Sequence, residues 1–257
     1  MKTIKIALFA LAGSLAVSCS DLDLSPRDKA ASGSWFQTAE QFELNLNALL
    51  HHTYWPMERN EWTSGNQTEL DMLTDRDFPV LDPEAGEAMR TRILAARADG
   101  DSVGGILETA VCGMPAGAGE PWFDSVESVL SHALFSVPAV KGVEFGDGFG
   151  LCDLRGSEAN DPFCCDGEVV RTRTNRNGGI NGGITNGMPL IFRCAVKPTP
   201  SVFKTQDTVD YRKPCNTELQ LAGRHDPCIV PRAVPVVEAA AAIVLMDMLL
   251  ADGFFRD

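Results

Sequence analysis

A glycine-rich stretch between Arg171 and Ser201 constrains the fold of this chain more than any other feature. Five glycines fall within the ten residues from Gly178 to Gly187, as two diglycine steps and one further residue. Glycine loses more backbone entropy on folding than any other residue, so this concentration needs a structural reason. One reason is a backbone that approaches a flat or anionic ligand closely. The alternative is a pair of glycine-rich turns before an edge strand.

The segment Lys197–Ser201 follows the glycines after an apolar run. Its lysine supplies a cation, its threonine and serine supply hydroxyls, and its two prolines stiffen the backbone. This combination suits contact with a phosphate or with the polar edge of a ring. The sequence therefore predicts a ligand-binding segment directly after the glycine-rich stretch.

A second polar motif runs from Arg224 to Pro227. Arg224 offers a planar guanidinium group that suits a phosphate. Asp226 precedes a proline that stiffens the chain, and it can act as a proton acceptor if it is desolvated. The alternative for this motif is a salt-bridged turn.

Charge and cysteine content narrow the function classes. The chain has 257 residues and a net charge of −13, which argues against nucleic acid as a partner because phosphate groups attract Lys and Arg. Of the eight cysteines, Cys19 belongs to the N-terminal signal considered below. The other seven are an odd number, with no CxxC pair and no Cys/His zinc spacing. We therefore predict mostly reduced thiols and no metal site.

Capping residues and hydrophobic spacing predict both helices and strands. Asp82 before Pro83 is typical of a helix start, and Gly100 is a stop signal. The region Arg155–Glu168 is polar and acidic, which predicts an irregular, mobile loop. The other predicted elements are helices at Pro83–Ala98 and Phe123–Val137, strands at Ser102–Val111 and Gly142–Phe145, a connection at Val202–Leu221 and a buried helix at Val236–Leu250.

The N-terminus has the pattern of a secretory signal. Lys2 and Lys5 precede an apolar run from Ile6 to Val17, which is too short to span a membrane as a mature helix. Cys19 follows small residues, and this resembles a bacterial lipoprotein cleavage site at which the cysteine is lipidated. Residues 1–19 are therefore predicted to be a lipoprotein-type signal peptide. A buried hydrophobic helix is the alternative, and membrane contact is expected only if Cys19 is lipidated.

Residues 20–78 resemble the start of SusD-like outer-membrane glycan-binding lipoproteins. The matching features are the acidic Asp21–Asp23 after the cysteine, then Ser25-Pro26, then Trp35-Phe36. A helix capped by Thr38 and reaching Leu50 is predicted, because apolar residues recur there at helical spacing. This segment is therefore expected to be mostly helical.

The larger part of the chain resembles the C-terminal half of chorismate synthase. The motifs that carry the resemblance are DGDSVGG at Asp99–Gly105, GEPWFD at Gly119–Asp124, PAVKGVEFGDGF at Pro138–Phe149, the glycine-rich stretch with Lys197–Ser201, RHDPC at Arg224–Cys228 and PRAVP at Pro231–Pro235. They occur in the family's order, and the resemblance covers residues 81–254. It implies an α+β fold, a partial β-α-β sandwich of sheets around helices, in a family that forms homotetramers.

The resemblance implies an enzyme that converts 5-enolpyruvylshikimate 3-phosphate to chorismate and phosphate. The family performs this anti-1,4 elimination in the shikimate pathway with reduced FMN, which lends and recovers electron density, and NADPH is a possible flavin reductant. Asp226 matches the residue that takes the proton from the flavin N5, and His225 lies in the same motif. The matched FMN-contacting positions are Pro138, Ala139, Gly182, Lys197, Pro198, Thr199, Pro200, Ser201 and Arg224.

The N-terminal motifs of the family, which supply an acid for the leaving phosphate and arginines for the substrate, are not matched. We therefore expect the chain to be inactive alone. Two alternatives are a SusD-like glycan-binding fragment and a chimeric, non-functional reading frame joined between Phe78 and Leu81. The enzyme region predicts a cytoplasmic homo-oligomer with a small-molecule substrate, whereas the N-terminal signal predicts an outer-membrane lipoprotein.

Overall fold

The computed structural model describes residues 78–167 and 169–254, together with Leu73 and the backbone of Asn45–His51. All of them belong to one compact unit, Ala39–Asp257. The predicted signal peptide, Cys19 and the acidic and aromatic motifs that follow them lie outside the described residues.

Over the described residues the chain forms ten strands and four α-helices, as the prediction of an α+β fold requires. In chain order the strands are β1 (Asn45–His51), β2 (Gly105–Cys112), β3 (Val140–Phe145), β4 (Phe163–Asp166), β5 (Val169–Thr172), β6 (Ile180–Asn181), β7 (Ile184–Thr185), β8 (Leu190–Val196), β9 (Gln206–Asp210) and β10 (Cys215–Leu219). The helices are α1 (Pro83–Ala98), α2 (Val126–Ser136), α3 (Gly156–Ala159) and α4 (Val230–Ala251).

A four-stranded antiparallel sheet with the order β1-β2-β8-β3 forms the centre of this unit. The other six strands lie outside this sheet and pair as three separate hairpins, β4-β5, β6-β7 and β9-β10. In the sheet, Glu108 of β2 lies opposite Arg193 of β8, which lies opposite Glu144 of β3. Three charged residues therefore occupy one row across the central strands.

Two helices cover one face of the sheet. Helix α2 packs against β3 and α4, and α4 packs against β1 and β2. Leu130 and Leu134 of α2 and Val237 and Leu245 of α4 are fully buried, because apolar residues at this spacing share one helical face. Phe192, in strand β8 of the sheet, has the largest of the fully buried side chains. The core therefore lies between the sheet and these two helices.

Capping residues close in sequence determine the bounds of helix α1. The predicted bounds agree with the structure, where the Glu84 amide donates to Asp82 Oδ1 at 2.8 Å and Pro83 takes the first helical turn. The helix predicted at Phe123–Val137 is shorter, because Ser125 caps it and accepts from the Ser128 amide at 3.1 Å.

Two predictions for the residues before β5 are wrong. In the helix predicted from Thr38 to Leu50, the described residues from Asn45 onward form β1 instead, which pairs antiparallel with β2. Its apolar spacing suited a helix, but pairing with an available sheet edge overrides such local preference. The predicted irregular loop at Arg155–Glu168 contains α3 and β4 instead, and β4 pairs with β5.

Two later predictions are corrected as well. The connection predicted at Val202–Leu221 contains the β9-β10 hairpin. The helix predicted to be buried is longer, Val230–Ala251, and only one of its faces is covered. Val236, Ile243 and Leu250 on its other side are 48%, 50% and 52% exposed. By length and a mean hydropathy of 2.0, α4 also meets the requirements of a membrane span, as core helices can.

Candidate functional site

The predicted ligand-binding segments meet at one edge of the central sheet. Strands β2 and β8 are antiparallel, so the start of β2 lies opposite the end of β8. The loop Ser102–Gly104 before β2 and the segment Lys197–Ser201 after β8 therefore emerge side by side. A Cβ on Gly104 would collide with the carbonyl oxygen of Val196, which shows how closely the two backbones approach.

Three hydrogen bonds join the predicted segments. The Lys197 amide donates to the Ala139 carbonyl at 2.9 Å, and the Val103 amide donates to the Pro227 carbonyl at 2.8 Å. The Ser102 hydroxyl donates to the Thr199 carbonyl at 2.6 Å. These contacts bring together Pro138-Ala139, the Lys197–Ser201 segment and the Arg224–Asp226 motif, which we call the cradle.

Ala139 has an unusual backbone conformation. Its φ is +76°, in the left-handed region where a residue with a Cβ is strained by about 1 to 2 kcal/mol. The bond between its carbonyl and the Lys197 amide helps to hold this conformation. The cradle therefore contains a peptide that is held in a strained position.

The polar groups of the cradle are incompletely paired. Thr199 Oγ1 is buried and has no hydrogen-bond partner among the described residues. A buried hydroxyl without a partner costs about 1 to 3 kcal/mol. Lys197 and Arg224 are exposed and make no ion pair within the described part of the chain. Two cations and one hydroxyl are thus available to an anionic ligand.

The two catalytic candidates lie next to each other in different surroundings. The Asp226 carboxylate pairs with the Arg232 guanidinium, with 2.6 Å between Oδ2 and Nη1, and its side chain is 35% exposed. The His225 ring lies against the Phe203 ring, with 5.5 Å between centroids. Asp226 is therefore a partly solvated, ion-paired carboxylate rather than a desolvated one, as the salt-bridged alternative predicted.

Gly182 lies apart from the cradle in the turn of the β6-β7 hairpin. Its φ is +61°, and a Cβ added there would meet nothing within 4 Å. Among the hydrogen bonds between described residues, none connects Gly182 to the cradle. The structure thus gathers eight of the nine predicted FMN-contacting positions and leaves Gly182 open to solvent in another turn.

Most of the glycine-rich stretch packs against the protein's own backbone. A Cβ on Gly178 would lie 2.5 Å from the Gly146 nitrogen, and one on Gly183 would lie 2.5 Å from the Glu120 oxygen. A Cβ on Gly179 would lie 2.5 Å from the oxygen of Pro189. Close approach is therefore the reason for these glycines, but the approaching group is the chain itself. A ligand contact remains open to Gly182.

Asp161 organises the start of this stretch, and no local sequence pattern indicates this role. Asp161 is only 4% exposed. It accepts hydrogen bonds from the Thr174 hydroxyl at 2.7 Å, the Arg176 amide at 2.9 Å, and the Asn177 amide and side chain at 2.9 and 2.7 Å. Burial raises the pKa of Asp161, but these hydrogen bonds together lower it below its ordinary value.

The charged row across the sheet was also missed. Arg193 is 3% exposed and lies 2.9 Å from a Glu144 carboxylate oxygen and 3.9 Å from a Glu108 carboxylate oxygen. It also donates to the Gly146 carbonyl at 3.0 Å. Because Gly146 packs against Gly178, this row supports the glycine-rich stretch. Only the strand register could have revealed it, since the three residues are far apart in sequence.

The six described cysteines from Cys152 to Cys228 are free thiols. Burial raises the pKa of Cys194 to about 12. Within the described residues, no three His, Cys, Asp or Glu side chains are placed to hold a metal ion.

Sequence and structure comparisons agree on one family. The family profile of chorismate synthase matches residues 37–250. The chorismate synthase of Thermococcus gammatolerans is 54% identical over 169 residues, which cover 66% of this chain and 48% of that protein. The one from Dehalococcoides mccartyi is 50% identical over 181 residues, which cover 70% and 50%. This chain therefore spans about half the length of the curated relatives that it matches.

A crystal structure of chorismate synthase is similar to this fold. The TM-score is 0.65 at 27% sequence identity, and the match covers 81% of this chain and 57% of that one. The profile match begins at residue 37, inside the segment 20–78 that we assigned to a SusD-like fragment. The pairing of β1 with β2 likewise joins residues 45–51 to the central sheet.

Proposed function

This chain belongs to the chorismate synthase family, and we propose that it takes part in the conversion of 5-enolpyruvylshikimate 3-phosphate to chorismate and phosphate with reduced FMN. The observation that carries the proposal is the cradle. Segments that the family resemblance assigns to FMN, from Pro138 to Arg224 in the sequence, are held at one sheet edge by hydrogen bonds of 2.6 to 2.9 Å, two of them from the loop Ser102–Gly104. The arrangement supports a single shared ligand.

The unpaired groups of the cradle fit FMN chemically. The cations of Lys197 and Arg224 would neutralise a phosphate, and Thr199 Oγ1 would gain the hydrogen-bond partner that it lacks. The two prolines at positions 198 and 200 keep this segment extended before any ligand arrives, so little backbone entropy is lost on binding. When bound, reduced FMN would lend electron density as the bond between carbon and the phosphate oxygen breaks and recover it afterwards.

Asp226 would act as a proton acceptor in this site. The Asp226 carboxylate already contacts one donor, because its Oδ2 lies 2.6 Å from the Arg232 Nη1. One carboxylate has lone pairs enough to accept a second hydrogen while it is held by Arg232. His225, packed on Phe203, would help to fix the orientation of the motif.

Other parts of the proposal follow from the family. Gly182, whose backbone faces open space, would contact the flavin from a separate turn, and NADPH would serve as a possible reductant. The exposed apolar residues of α4, together with Phe163 and Val170 in the β4-β5 hairpin, support assembly into a homo-oligomer, the family's homotetramer. A cytoplasmic location follows from the enzyme region. The lipoprotein signal at residues 1–19 and the SusD-like assignment remain predictions for the residues before 37.

Flavin binding is the direct test. We expect the full chain to quench the fluorescence of added FMN, and Lys197→Gln and Arg224→Gln to weaken this binding by about tenfold or more, since each removes a charge that contacts phosphate. Lys213→Gln, in the turn of the β9-β10 hairpin, is the control and should change the Kd by less than twofold. An unchanged Kd in both cradle variants would contradict the cofactor assignment.

Chorismate formation is the second test. The chain would be assayed anaerobically with reduced FMN and 5-enolpyruvylshikimate 3-phosphate, alone and mixed with a fragment that supplies the rest of a family member's length. We expect chorismate in the mixture, and Asp226→Asn in this chain should abolish it while FMN binding persists. Activity that is unaffected by Asp226→Asn would exclude the proposed proton acceptor.

A further inference from the structure

The loop Ser102–Gly104 lies between the two parts of the cradle and contacts both. The Ser102 hydroxyl donates to the Thr199 carbonyl at 2.6 Å. One residue later, the Val103 amide donates to the Pro227 carbonyl at 2.8 Å. Consecutive residues of one loop therefore connect the phosphate-binding segment to the motif that carries Asp226.

The segment Lys197–Ser201 depends on such external contacts. Its two prolines have no backbone N–H, so it cannot continue the hydrogen-bond ladder of β8. Its first residue is held by the bond from the Lys197 amide to the Ala139 carbonyl, and its middle residue by the bond from Ser102 to the Thr199 carbonyl. Removing the Ser102 hydroxyl would leave the Thr199 carbonyl without this donor.

Contacts on either side of Ser102 keep the loop in place. The Phe203 amide donates to the Gly100 carbonyl at 2.8 Å, and the Lys204 ammonium lies 2.8 Å from an Asp101 carboxylate oxygen. That ion pair is about half exposed, so we expect it to contribute little. At the other end, the close approach of Gly104 to Val196 prevents the loop from shifting along β8.

We propose that Ser102 is a positioning residue for the cradle. Its hydroxyl holds the Lys197–Ser201 segment against the loop, and the adjacent Val103 amide holds the Arg224–Pro227 motif. The phosphate-binding groups are thereby held at a fixed position relative to the Asp226 carboxylate. The nature of the ligand rests on the proposed function, whereas the coupling of the two segments does not.

Hydrogen exchange on the full chain tests the coupling without a ligand. We expect Ser102→Ala to accelerate amide exchange about tenfold in two peptides, 197–203 and 102–106, because loss of the bond to the Thr199 carbonyl loosens both the segment with the Lys197 amide and the loop whose Val103 amide donates to Pro227. Ser136→Ala is the matched control: the Ser136 hydroxyl also donates to a backbone carbonyl at 2.6 Å, but at the exposed end of α2. Ser102→Thr retains the hydroxyl and should restore slow exchange.

Acceleration in the 197–203 peptide alone would overturn the coupling. Exchange rates in Ser102→Ala within twofold of those in Ser136→Ala would overturn the positioning role altogether. Both outcomes are read on folded protein, which an unchanged far-UV circular dichroism spectrum would establish for each variant.

Flavin affinity provides the second readout. Fluorescence quenching of FMN should show a Kd about tenfold higher for Ser102→Ala than for the wild-type chain, with Ser136→Ala unchanged and Ser102→Thr close to wild type. If the wild-type chain fails to bind FMN while exchange is still accelerated in both peptides, the coupling stands and the cofactor assignment falls. If FMN binds equally to Ser102→Ala and the wild type, Ser102 does not position the ligand-binding groups.

Discussion

The turn that Asp161 organises and the cradle are built from the same polar residue types, but their buried polar atoms are paired differently. The Asp161 carboxylate accepts four hydrogen bonds from residues 174 to 177. In the cradle, Thr199 Oγ1 is buried and has no partner among the described residues. The buried hydroxyls of Thr109 and Thr172 and the Arg176 Nε also lack a partner among the described residues, but of these atoms Thr199 Oγ1 is the one that lies among the predicted ligand-binding groups, where a ligand would supply the missing partner.

The glycines show the same contrast. In the turn region, Gly178 and Gly183 are required by the protein's own backbone, which passes within van der Waals distance of where a Cβ would be. Gly182 has the same left-handed conformation, yet nothing lies within 4 Å of its missing Cβ. Glycines of the same stretch thus have two roles: some allow internal packing, and Gly182 remains open to an external partner. Mutations can separate these two roles.

The largest effect is expected at Gly183. Gly183→Ala should lower the free energy of unfolding by about 4 kcal/mol, because it combines left-handed strain with overlap against the Glu120 carbonyl and the Ser125 side chain. Gly182→Ala, one residue away, adds only the strain and should cost about 1.5 kcal/mol. Urea unfolding followed by circular dichroism measures both. Equal losses would show that the two glycines do not differ in role.

Asp161→Asn should come next, with a loss of about 3 kcal/mol. The amide keeps the shape of the carboxylate but cannot accept the same hydrogen bonds, so donors such as the Arg176 amide are left buried without a partner. Asp153→Asn at an exposed position is the control and should change the free energy of unfolding by less than about 0.5 kcal/mol. A loss below about 1 kcal/mol at Asp161 would contradict its organising role.

The same residue predicts a pH dependence. The pKa of Asp161 is lower in the folded chain than its ordinary value of about 3.9, so the unfolded state binds more protons as the pH falls. The contribution of Asp161 to stability is therefore complete above about pH 5 and is lost as the pH falls through 3.9 toward the folded pKa. Urea unfolding between pH 7 and pH 3 should show a steeper decline for the wild type than for Asp161→Asn. Parallel curves would contradict the shift.

The cradle predicts an effect of opposite sign. Thr199→Val removes a buried hydroxyl without a partner while it keeps the volume, so the chain should be unchanged or more stable by up to about 1 kcal/mol, whereas FMN binding should weaken. Thr185→Val is the matched variant, because the Thr185 hydroxyl donates to the Pro115 carbonyl and accepts from the Ala118 amide. It should lose about 2 kcal/mol. Thermal unfolding distinguishes the two, and a clear destabilisation at Thr199 would contradict the comparison.

The smallest effect is expected at Arg232. Arg232→Gln breaks its ion pair with Asp226, but the two side chains are 50% and 35% exposed, so the free energy of unfolding should change by less than about 0.5 kcal/mol. Lys213→Gln, also exposed, should behave similarly. A loss above about 2 kcal/mol in urea unfolding would mean that this pair belongs to the structural core rather than to the ligand site.

Several features of the chain could be read from short stretches of sequence. The cap at Asp82 and the proline at position 83 gave the helix α1 with its observed bounds, because capping acts within one turn. The motifs at Asp99–Gly105, Pro138–Phe149 and Arg224–Cys228 identified the family that the profile match confirms. Such signals survive without the fold because every residue they need is a near neighbour in the chain.

Other features depended on partners far away in the sequence. Residues Asn45–Leu50, predicted to be helical, lie in β1 because they pair with the edge of β2, and helical spacing carries no information about that edge. The loop predicted at Arg155–Glu168 became ordered structure that presents Asp161 to donors 13 to 16 residues later. Helix α4 is apolar on nearly all sides, yet only the tertiary packing shows which side is covered.

Short motifs in the sequence are enough to identify the family, the order of the predicted binding motifs and residue types that would suit an anionic ligand. Only the fold shows which glycines pack against backbone, that the buried Thr199 hydroxyl lacks a partner among the described residues, and that Ser102 and Val103 contact segments nearly a hundred or more residues away. The physical reason is that a hydrogen bond or a steric contact acts over a few ångströms of space. Only the folded sheet, with β2 and β8 antiparallel, brings those distant residues within that range.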